Sequence, residues 1–500
     1  EDGKCEKIWE TMKENGRSMG SIMFMLQEDA PEFLKEYRQQ KADYMFRESV
    51  KSDPNHRNVA VIVHKLKKDF FIYTEEGGWY TYGDHRLISG NTVRPHYWKP
   101  MSSEVDLRLF IQEDMLSYYQ KYLETKRDDI KRKKLEDGQD IVEKDINAMP
   151  LIKNIKKMIV NLGNLPFVNG VVKMCQSYFL NPHFEKLKDM NPELIACENG
   201  VLDLKNGVFR NGRPDDYITM STGIHFSPEI NPLEEKALDA ILDKIYTDPR
   251  HKAYVYKLCA AMLYGKNLLK MIPCHIGPTN AGKSVLMSLL REAFGEYAKE
   301  LKKEKVTAGS VKSSGGPAIE LYRLRGARVV IVPELEKKDS LDIGLLKTLS
   351  ASLDKIYART HHDKKGLDMT ITFTVLFQLN DFPRAPGEDD ALWGRILCFR
   401  YFSEFVKPTD LKNKPVPKSI EEQFKARRFI ADMKLDQKSK RPVRYHFYLY
   451  WQESSRGGFA CKDYQKIQSR DFLSYQESVW RIQRLVQAGI YQLSSIYQFV

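Results

Sequence analysis

Five hundred residues, 42% hydrophobic and 29% charged, fit a globular chain of about two to four domains, and the net charge of +12 points to a polyanionic partner. No apolar run reaches membrane-spanning length and no signal-peptide pattern opens the chain, so nothing in the sequence calls for a membrane. Seven widely spaced cysteines without a C-x-x-C pair argue against a zinc knuckle or a disulfide framework and for a reducing, intracellular compartment.

The chain begins at Glu1 without a methionine and reads as a piece of something longer, with room for an upstream domain. Residues 1 to about 50 read as polar and mostly helical. Asn58–His64 has the β-branched composition of a strand. Phe70–Thr74 and Gly78–Tyr82, divided by a Gly-containing turn, predict a hairpin whose aromatics serve the core in preference to base stacking. Apolar spacing predicts one amphipathic helix from Val105 to about Lys134, a charged connector over Glu136–Asp145, and helices over Met149–Leu162 and Val171–Leu180. Two short strands with Asn-Gly turns follow within Leu194–Arg210, then helical runs over Leu233–Tyr246 and Tyr254–Tyr264. These stretches divide the chain into an N-terminal α+β module (1–105), a helical and short-strand collar or linker region (106–247), a domain at 248–405 and a basic, aromatic-rich C-terminal region (406–500).

The strongest signal is Gly277-Pro278-Thr279-Asn280-Ala281-Gly282-Lys283-Ser284, a full G-x-x-x-x-G-K-[ST] phosphate-binding loop. An apolar run of strand length precedes it and a helical pattern follows, the context in which such a loop wraps its backbone N–H groups around a phosphate. Lys283 is then expected to reach the β/γ-phosphates of ATP, and the Ser284 hydroxyl to bind Mg²⁺. A Ser/Gly-rich stretch spans Thr307–Pro317. Ala327–Val332 reads as a buried strand with Glu334 and Glu336 at its carboxyl edge, where acids face a nucleotide in open α/β sheets. Glu334 is the first candidate to hold Mg²⁺ or orient the attacking water, and Glu336 the second.

Lys355–Thr360 and Met369–Phe377 read as strands joined by the charged turn His361-His-Asp-Lys-Lys-Gly366, whose His361, His362, Lys364 and Lys365 suit phosphate contacts. The second strand leads to Asn380, an amide able to position water or the γ-phosphate. Arg395 can stabilise transition-state charge at a neighbouring subunit's nucleotide, with Arg384 and Arg400 as competitors. From Val406 on, 18 Lys/Arg stand against 9 Asp/Glu, interleaved with aromatics, so this region either binds single strands or packs as a helical domain.

The ordered series of phosphate loop, acidic strand, Lys/His hairpin, Asn strand and arginine resembles superfamily 3 helicases, specifically the poxvirus-type primase–helicases of large nucleocytoplasmic DNA viruses. Lys283 to Glu334 is 51 positions, Glu334 to Asn380 is 46, and Asn380 to Arg395 is 15. Leu194–Tyr217 is similar to the region that precedes the ATPase in that branch. The resemblance implies an AAA+-like P-loop domain, preceded by an α+β region and followed by a mainly helical one. It also implies a hexameric ring that hydrolyses ATP with Mg²⁺ and moves 3′→5′ along single-stranded or forked DNA. Primase and polymerase components as partners, and a viral replication site in the host cytoplasm, follow from the same resemblance. Under it Arg359 joins the hairpin residues at DNA, Glu334 and Glu336 form the acidic motif, Asn380 is the sensor and Arg395 the finger. Pro333 departs from the family, which favours a small residue before the acid, and Arg395 lacks a second adjacent arginine. Two rivals share the phosphate loop: a packaging-type or small-molecule P-loop ATPase, and a nucleotide-gated scaffold or loader that binds DNA without unwinding it.

Overall fold

The computed structural model describes residues 30–82, 96–138, 140, 142–227, 232–267, 270–308, 319–351, 355–358, 367–383 and 389–432. Contacts divide the chain into two compact units, Glu1–Lys188 with Asn211–Thr219, and Asp189–Arg210 with Met220–Val500. The division at Lys188/Asp189 falls inside the stretch expected to form a collar.

In the first unit, helix α1 (Pro31–Ser49) precedes α2 (His56–Lys67). The strand expected at Asn58–His64 is therefore a helix. Asn55 caps it, its side chain accepting from the Asn58 N–H at 2.9 Å, and Val59, Ala60, Ile62 and Val63 are buried together on one face. A side-chain cap satisfies a free helix-start donor and overrides weak β propensity. Strands β1 (Phe71–Thr74), β2 (Gly78–Tyr82) and β3 (Trp98–Pro100) form an antiparallel sheet in register Phe71↔Thr81 and Tyr82↔Trp98. Phe71 and Trp79 face the helical core, while Ile72, Tyr80, Tyr82 and Trp98 pack with Phe184 on the other face. Those aromatics are core, as the sequence favoured. The long helix expected from Val105 has a π-helical stretch at Phe110–Met115, between a first α turn at Val105–Leu109 and α3 (Leu116–Glu136). Helices α4 (Pro150–Gly163) and α5 (Leu165–Phe179) complete the unit's described core.

The second unit opens with the antiparallel meander β4 (Leu194–Cys197), β5 (Gly200–Asp203) and β6 (Val208–Arg210). Helices α6 (Pro232–Ile245) and α7 (Pro249–Leu263) follow, the latter capped by Asp248, whose carboxylate accepts from the Arg250 N–H at 2.8 Å. The centre is a five-stranded parallel sheet made of β7 (Ile272–Ile276), β8 (Ala298–Glu300), β9 (Val329–Leu335), β12 (Thr374–Leu379) and β13 (Ile396–Arg400), in the spatial order β13-β7-β12-β9-β8. Helix α8 (Lys283–Phe294) leaves β7, and α9 (Ile343–Ser350) follows β9. Val329 and Ile331 enter one hydrophobic cluster and Val330 and Val332 the other, so the sheet is covered on both faces, as its continuous apolar runs require.

Two expectations change here. Met369–Phe377 is not one strand. β10 (Lys355–Ala358) and β11 (Leu367–Thr370) pair antiparallel as the expected hairpin, and the chain then bends into the sheet. At the bend the Thr372 hydroxyl donates to the Ala327 carbonyl at 3.0 Å. The described part of the C-terminal region is not mainly helical either. It is a parallel ladder of β14 (Glu404–Val406) and β15 (Arg428–Ile430), with a single 3-10 turn at Pro408–Asp410 and a short α-helix, α10 (Ile420–Ala426), between them. Pro408, Pro415 and Pro417 interrupt any longer helix.

Candidate functional site

Strand β7 delivers the phosphate loop to the carboxyl end of the sheet. Glycine is needed at 277 because a Cβ there would sit 2.7 Å from Tyr401 Cβ and 2.9 Å from its carbonyl oxygen. Asn280 and Gly282 turn the loop through left-handed φ values of 63° and 93°, which Asn tolerates and Gly adopts freely. Beneath the loop, His275 Nδ1 lies 2.9 Å from the Tyr401 hydroxyl and its ring stacks on Phe399 at 4.9 Å. Burial pushes this imidazole down to about 3, and that of neighbouring His251 down to about 4. Both rings are therefore neutral and apolar in behaviour.

Lys283 is 5% exposed. Its ammonium donates to the carbonyls of Gly277 and Pro278 (the latter at 2.7 Å) and to Asn380 Oδ1 at 3.1 Å. Burial lowers its pKa. The two residues are 97 positions apart in sequence and meet because β12 lies beside β7. Ser284 is exposed, and the Gln378 side-chain amide donates to its hydroxyl at 2.9 Å. The sequence reading missed Gln378. Its signal was the period of two along β12, which sends Gln378 and Asn380 to the same side.

Glu334 is exposed at the end of β9 with φ of 58°. The register of β9 against β12 shifts there: Val332 pairs with Phe377 and Leu335 with Leu379, so Pro333 and Glu334 together oppose Gln378. This is a β-bulge, a device that re-aims one side chain and is frequent beside functional sites. It also accounts for Pro333. A proline cannot donate to a ladder and is tolerated inside a sheet at a bulge. Glu336 is engaged elsewhere: it pairs with Lys338 at 2.8 Å and Lys303 at 3.1 Å, which hold its carboxyl below the usual range.

The phosphate loop, Glu334, Glu336, Gln378 and Asn380 line one cavity of about 960 Å³. Residues the sequence did not single out line it too, among them Ile241 and Ile245 of α6, Phe405 of β14 and Ile430 of β15. Among the described residues no cluster of three or more His, Cys, Asp or Glu forms a metal cage. Ser284 and Glu334 nevertheless supply oxygen donors of the kind Mg²⁺ takes alongside substrate phosphates.

Arg395 lies away from this lining. Its guanidinium donates to the Lys347 carbonyl at 2.5 Å and to the Ser350 hydroxyl at 2.8 Å, at the C-terminal end of α9. Arg400 is exposed at the carboxyl end of β13, in register with Ile276. Arg384 and the hairpin-tip residues Arg359, His361, His362, Lys364 and Lys365 lie outside the described residues.

Residues 59–246 match the family model described as "D5 N terminal like". The chain is 29% identical over 449 residues to the "Putative helicase L207/L206" of Acanthamoeba polyphaga mimivirus, covering 87% of this chain and 43% of that protein. It is 26% identical over 476 residues to the "Putative helicase 184R" of Invertebrate iridescent virus 6, covering 86% of this chain and 47% of that protein. A "Putative primase C962R" of African swine fever virus matches at 22% over 468 residues, covering 90% of this chain and 47% of that protein. The chain thus spans a little under half the length of these curated relatives. Residues 59–246 are thus similar to the N-terminal D5 domain, and the chain as a whole is similar to proteins named as putative helicases or primases of large DNA viruses.

Proposed function

We propose that the chain is the ATP-hydrolysing helicase part of a viral replication protein, a superfamily 3, AAA+-like module that unwinds DNA. The observation that carries this reading is the convergence of Lys283, Asn380 and the bulged Glu334 on one cavity, from three adjacent parallel strands. The names of the relatives support the replication role, and the strand order β13-β7-β12-β9-β8, with the phosphate-loop strand beside the Asn380 strand, supports the AAA+ assignment.

In this reading Lys283 leaves the Gly277 and Pro278 carbonyls for the phosphates when ATP enters. Its burial strengthens that interaction, because opposite charges attract more strongly where water is excluded. Ser284 and Glu334 would hold Mg²⁺, which would neutralise charge on the phosphate oxygens. Glu334 orients the attacking water and Asn380 senses the γ-phosphate. Glu336, the second acid, acts through its ion pairs with Lys303 and Lys338 by fixing the edge of the cavity. A guanidinium completes the site of the next subunit in a hexameric ring. Arg395 is the residue of the family motif, while Arg400 is the one exposed at the carboxyl edge of the sheet. The hairpin carrying Arg359, His361, His362, Lys364 and Lys365 contacts the backbone of single-stranded or forked DNA, moved 3′→5′, with primase and polymerase components as further partners at an intracellular replication site.

Steady-state ATPase and strand-separation assays, with and without single-stranded DNA, test the reading. DNA-stimulated turnover with unwinding, both lost in Lys283→Ala, is the expected result. Slow turnover indifferent to DNA, without strand separation, would instead identify a nucleotide-gated scaffold.

A further inference from the structure

A second cavity lies wholly within the first unit and shares no residue with the phosphate-loop site. It measures about 300 Å³, at the lower end of small-molecule sites, a size that suits one nucleotide unit and not a run of bases. Four segments build it: the end of α2 with the residues after it, strands β1 and β3, the end of α5 with the residues after it, and the turn at 214–217.

The frame is fixed by bonds that leave the polar lining unused. The Trp98 indole N–H donates to the Pro214 carbonyl at 2.8 Å and its backbone N–H to the Ile218 carbonyl at 2.7 Å, which ties the turn to β3. The Asn181 N–H donates to the Tyr73 carbonyl at 2.9 Å. Asn181 Oδ1 accepts from the N–H groups of His183 and Phe184, each at 3.0 Å, so its NH₂ group is what it has left to give. The His64 ring stands edge-on to Phe179 at 4.9 Å. Burial, with Lys68 beside it, lowers the pKa of His64, so at pH 7 it is neutral with one donor and one acceptor nitrogen. Tyr217 has φ of 51°, rare for a bulky residue, at the end of a turn closed by the Arg213 N–H donating to Asp216 Oδ2 at 2.8 Å. Among the described residues, the side chains of Lys68, Asp69, Tyr178 and Tyr217, the nitrogens of His64 and the Asn181 NH₂ group have no hydrogen-bond or ion-pair partner.

Their chemistry selects the ligand. Lys68, Asn181, Tyr178, Tyr217 and His64 all have an N–H or O–H to give, and the last turn of α2 adds the positive charge of Lys65 and Lys67. Such donors take phosphate oxygens. The Tyr and His rings offer faces on which a base stacks, and the Asp69 and Asp215 carboxylates accept from a base's N–H edge. A bare oxyanion would leave the rings and carboxylates without a role, and an apolar ligand would leave the charges unmet.

We propose that this cavity is a second nucleotide-binding site, with the phosphate at Lys68 and Asn181 and the base against Tyr178 and Tyr217. A free nucleotide and one position of a single strand present the same groups to it. The site stands independently of the ATP reading, since no residue of the second unit lines it.

Photolabelling of the full chain tests it. The probes are iodo-dUMP and a short oligothymidylate carrying one iodouracil, each with excess ADP to occupy the phosphate-loop cavity, and labelled peptides are located by mass spectrometry. Saturable label at Tyr178 or Tyr217 is the expected result. Label from the oligonucleotide alone assigns a strand, and label from iodo-dUMP a free nucleotide. Lys68 is exposed and without a partner, so Lys68→Ala leaves the fold intact and is expected to raise the half-saturating concentration about fivefold. Tyr178→Ala is expected to raise it about tenfold for label at Tyr217, or about 1.4 kcal/mol, with recovery in Tyr178→Phe, which keeps the ring. The site is overturned if neither tyrosine is saturably labelled, or if either substitution leaves half-saturation unmoved, because the cavity is then a hydrated recess.

Discussion

Arg395 offers two separable outcomes in one substitution. In the isolated chain its guanidinium closes the C-terminal end of α9, donating to the Lys347 carbonyl at 2.5 Å and the Ser350 hydroxyl at 2.8 Å. The last carbonyls of a helix lack intrahelical donors and carry partial negative charge, so a cation there both satisfies and stabilises them. Hydrogen bonds from a charged donor contribute roughly 1.5–3 kcal/mol each. Here one half-buried nitrogen makes both, so about 2 kcal/mol for the pair is a reasonable magnitude on that scale. At roughly 2–4 °C per kcal/mol in domains of 150–250 residues, Arg395→Ala should lower Tm by about 4–8 °C. Arg400→Ala, which removes an exposed side chain, should leave Tm within about 1 °C, because surface substitutions usually stay within ±0.5 kcal/mol. Thermal unfolding of both variants, alongside ATPase at a temperature where both are folded, gives the answer. An unchanged Tm in Arg395→Ala would refute the clamp. A normal Tm with abolished turnover in Arg400→Ala would move the trans-acting role to Arg400.

Two further outcomes follow from the same geometry. Glu334→Gly should abolish turnover yet stabilise the fold by about 1 kcal/mol, because glycine adopts φ of 58° without the strain a carboxylate-bearing residue carries there; a destabilised variant in chemical denaturation would contradict the strain. His251 and His275 have folded pKa values near 4 and 3, below the ordinary 6.5, so their neutral burial supports the fold fully above about pH 6.5 and progressively less as pH falls toward those values. At pH 5, about 1.5 pH units below the ordinary 6.5 and above both folded values, the loss is about 2 kcal/mol for each, at about 1.4 kcal/mol per pKa unit. His251→Phe, which keeps the stack on Phe399, should therefore lose less stability than the parent between pH 7 and pH 5, and an equal loss in both would show that His251 is not buried neutral.

The phosphate loop, the acidic strand and the Asn strand were legible in the sequence because each is a short stretch whose chemistry and flanking periodicity sit within about fifteen residues. The antiparallel pairing of β10 with β11 was legible for the same reason, since its turn is local. Composition alone misled at Asn58–His64, where a cap three residues earlier outweighed β-branched side chains. It also misled across Met369–Phe377, where one apolar run serves two sheets.

What the tertiary structure alone decided is everything that depends on strands far apart in sequence becoming neighbours. Lys283 reaches Asn380 only through the pairing of β7 with β12, and the amide of Gln378 reaches Ser284 the same way. Pro333 and Glu334 form a bulge only relative to their partner strand, so an apparent departure before the acid becomes the feature that aims it. Phe405 and Ile430 reach the cavity because the chain beyond the sheet is hydrogen-bonded along the phosphate loop. A motif fixes which groups can do chemistry, because that is a property of residue types at close spacing. Register and strand order decide which distant side chains stand around them, because those contacts have no counterpart in local sequence.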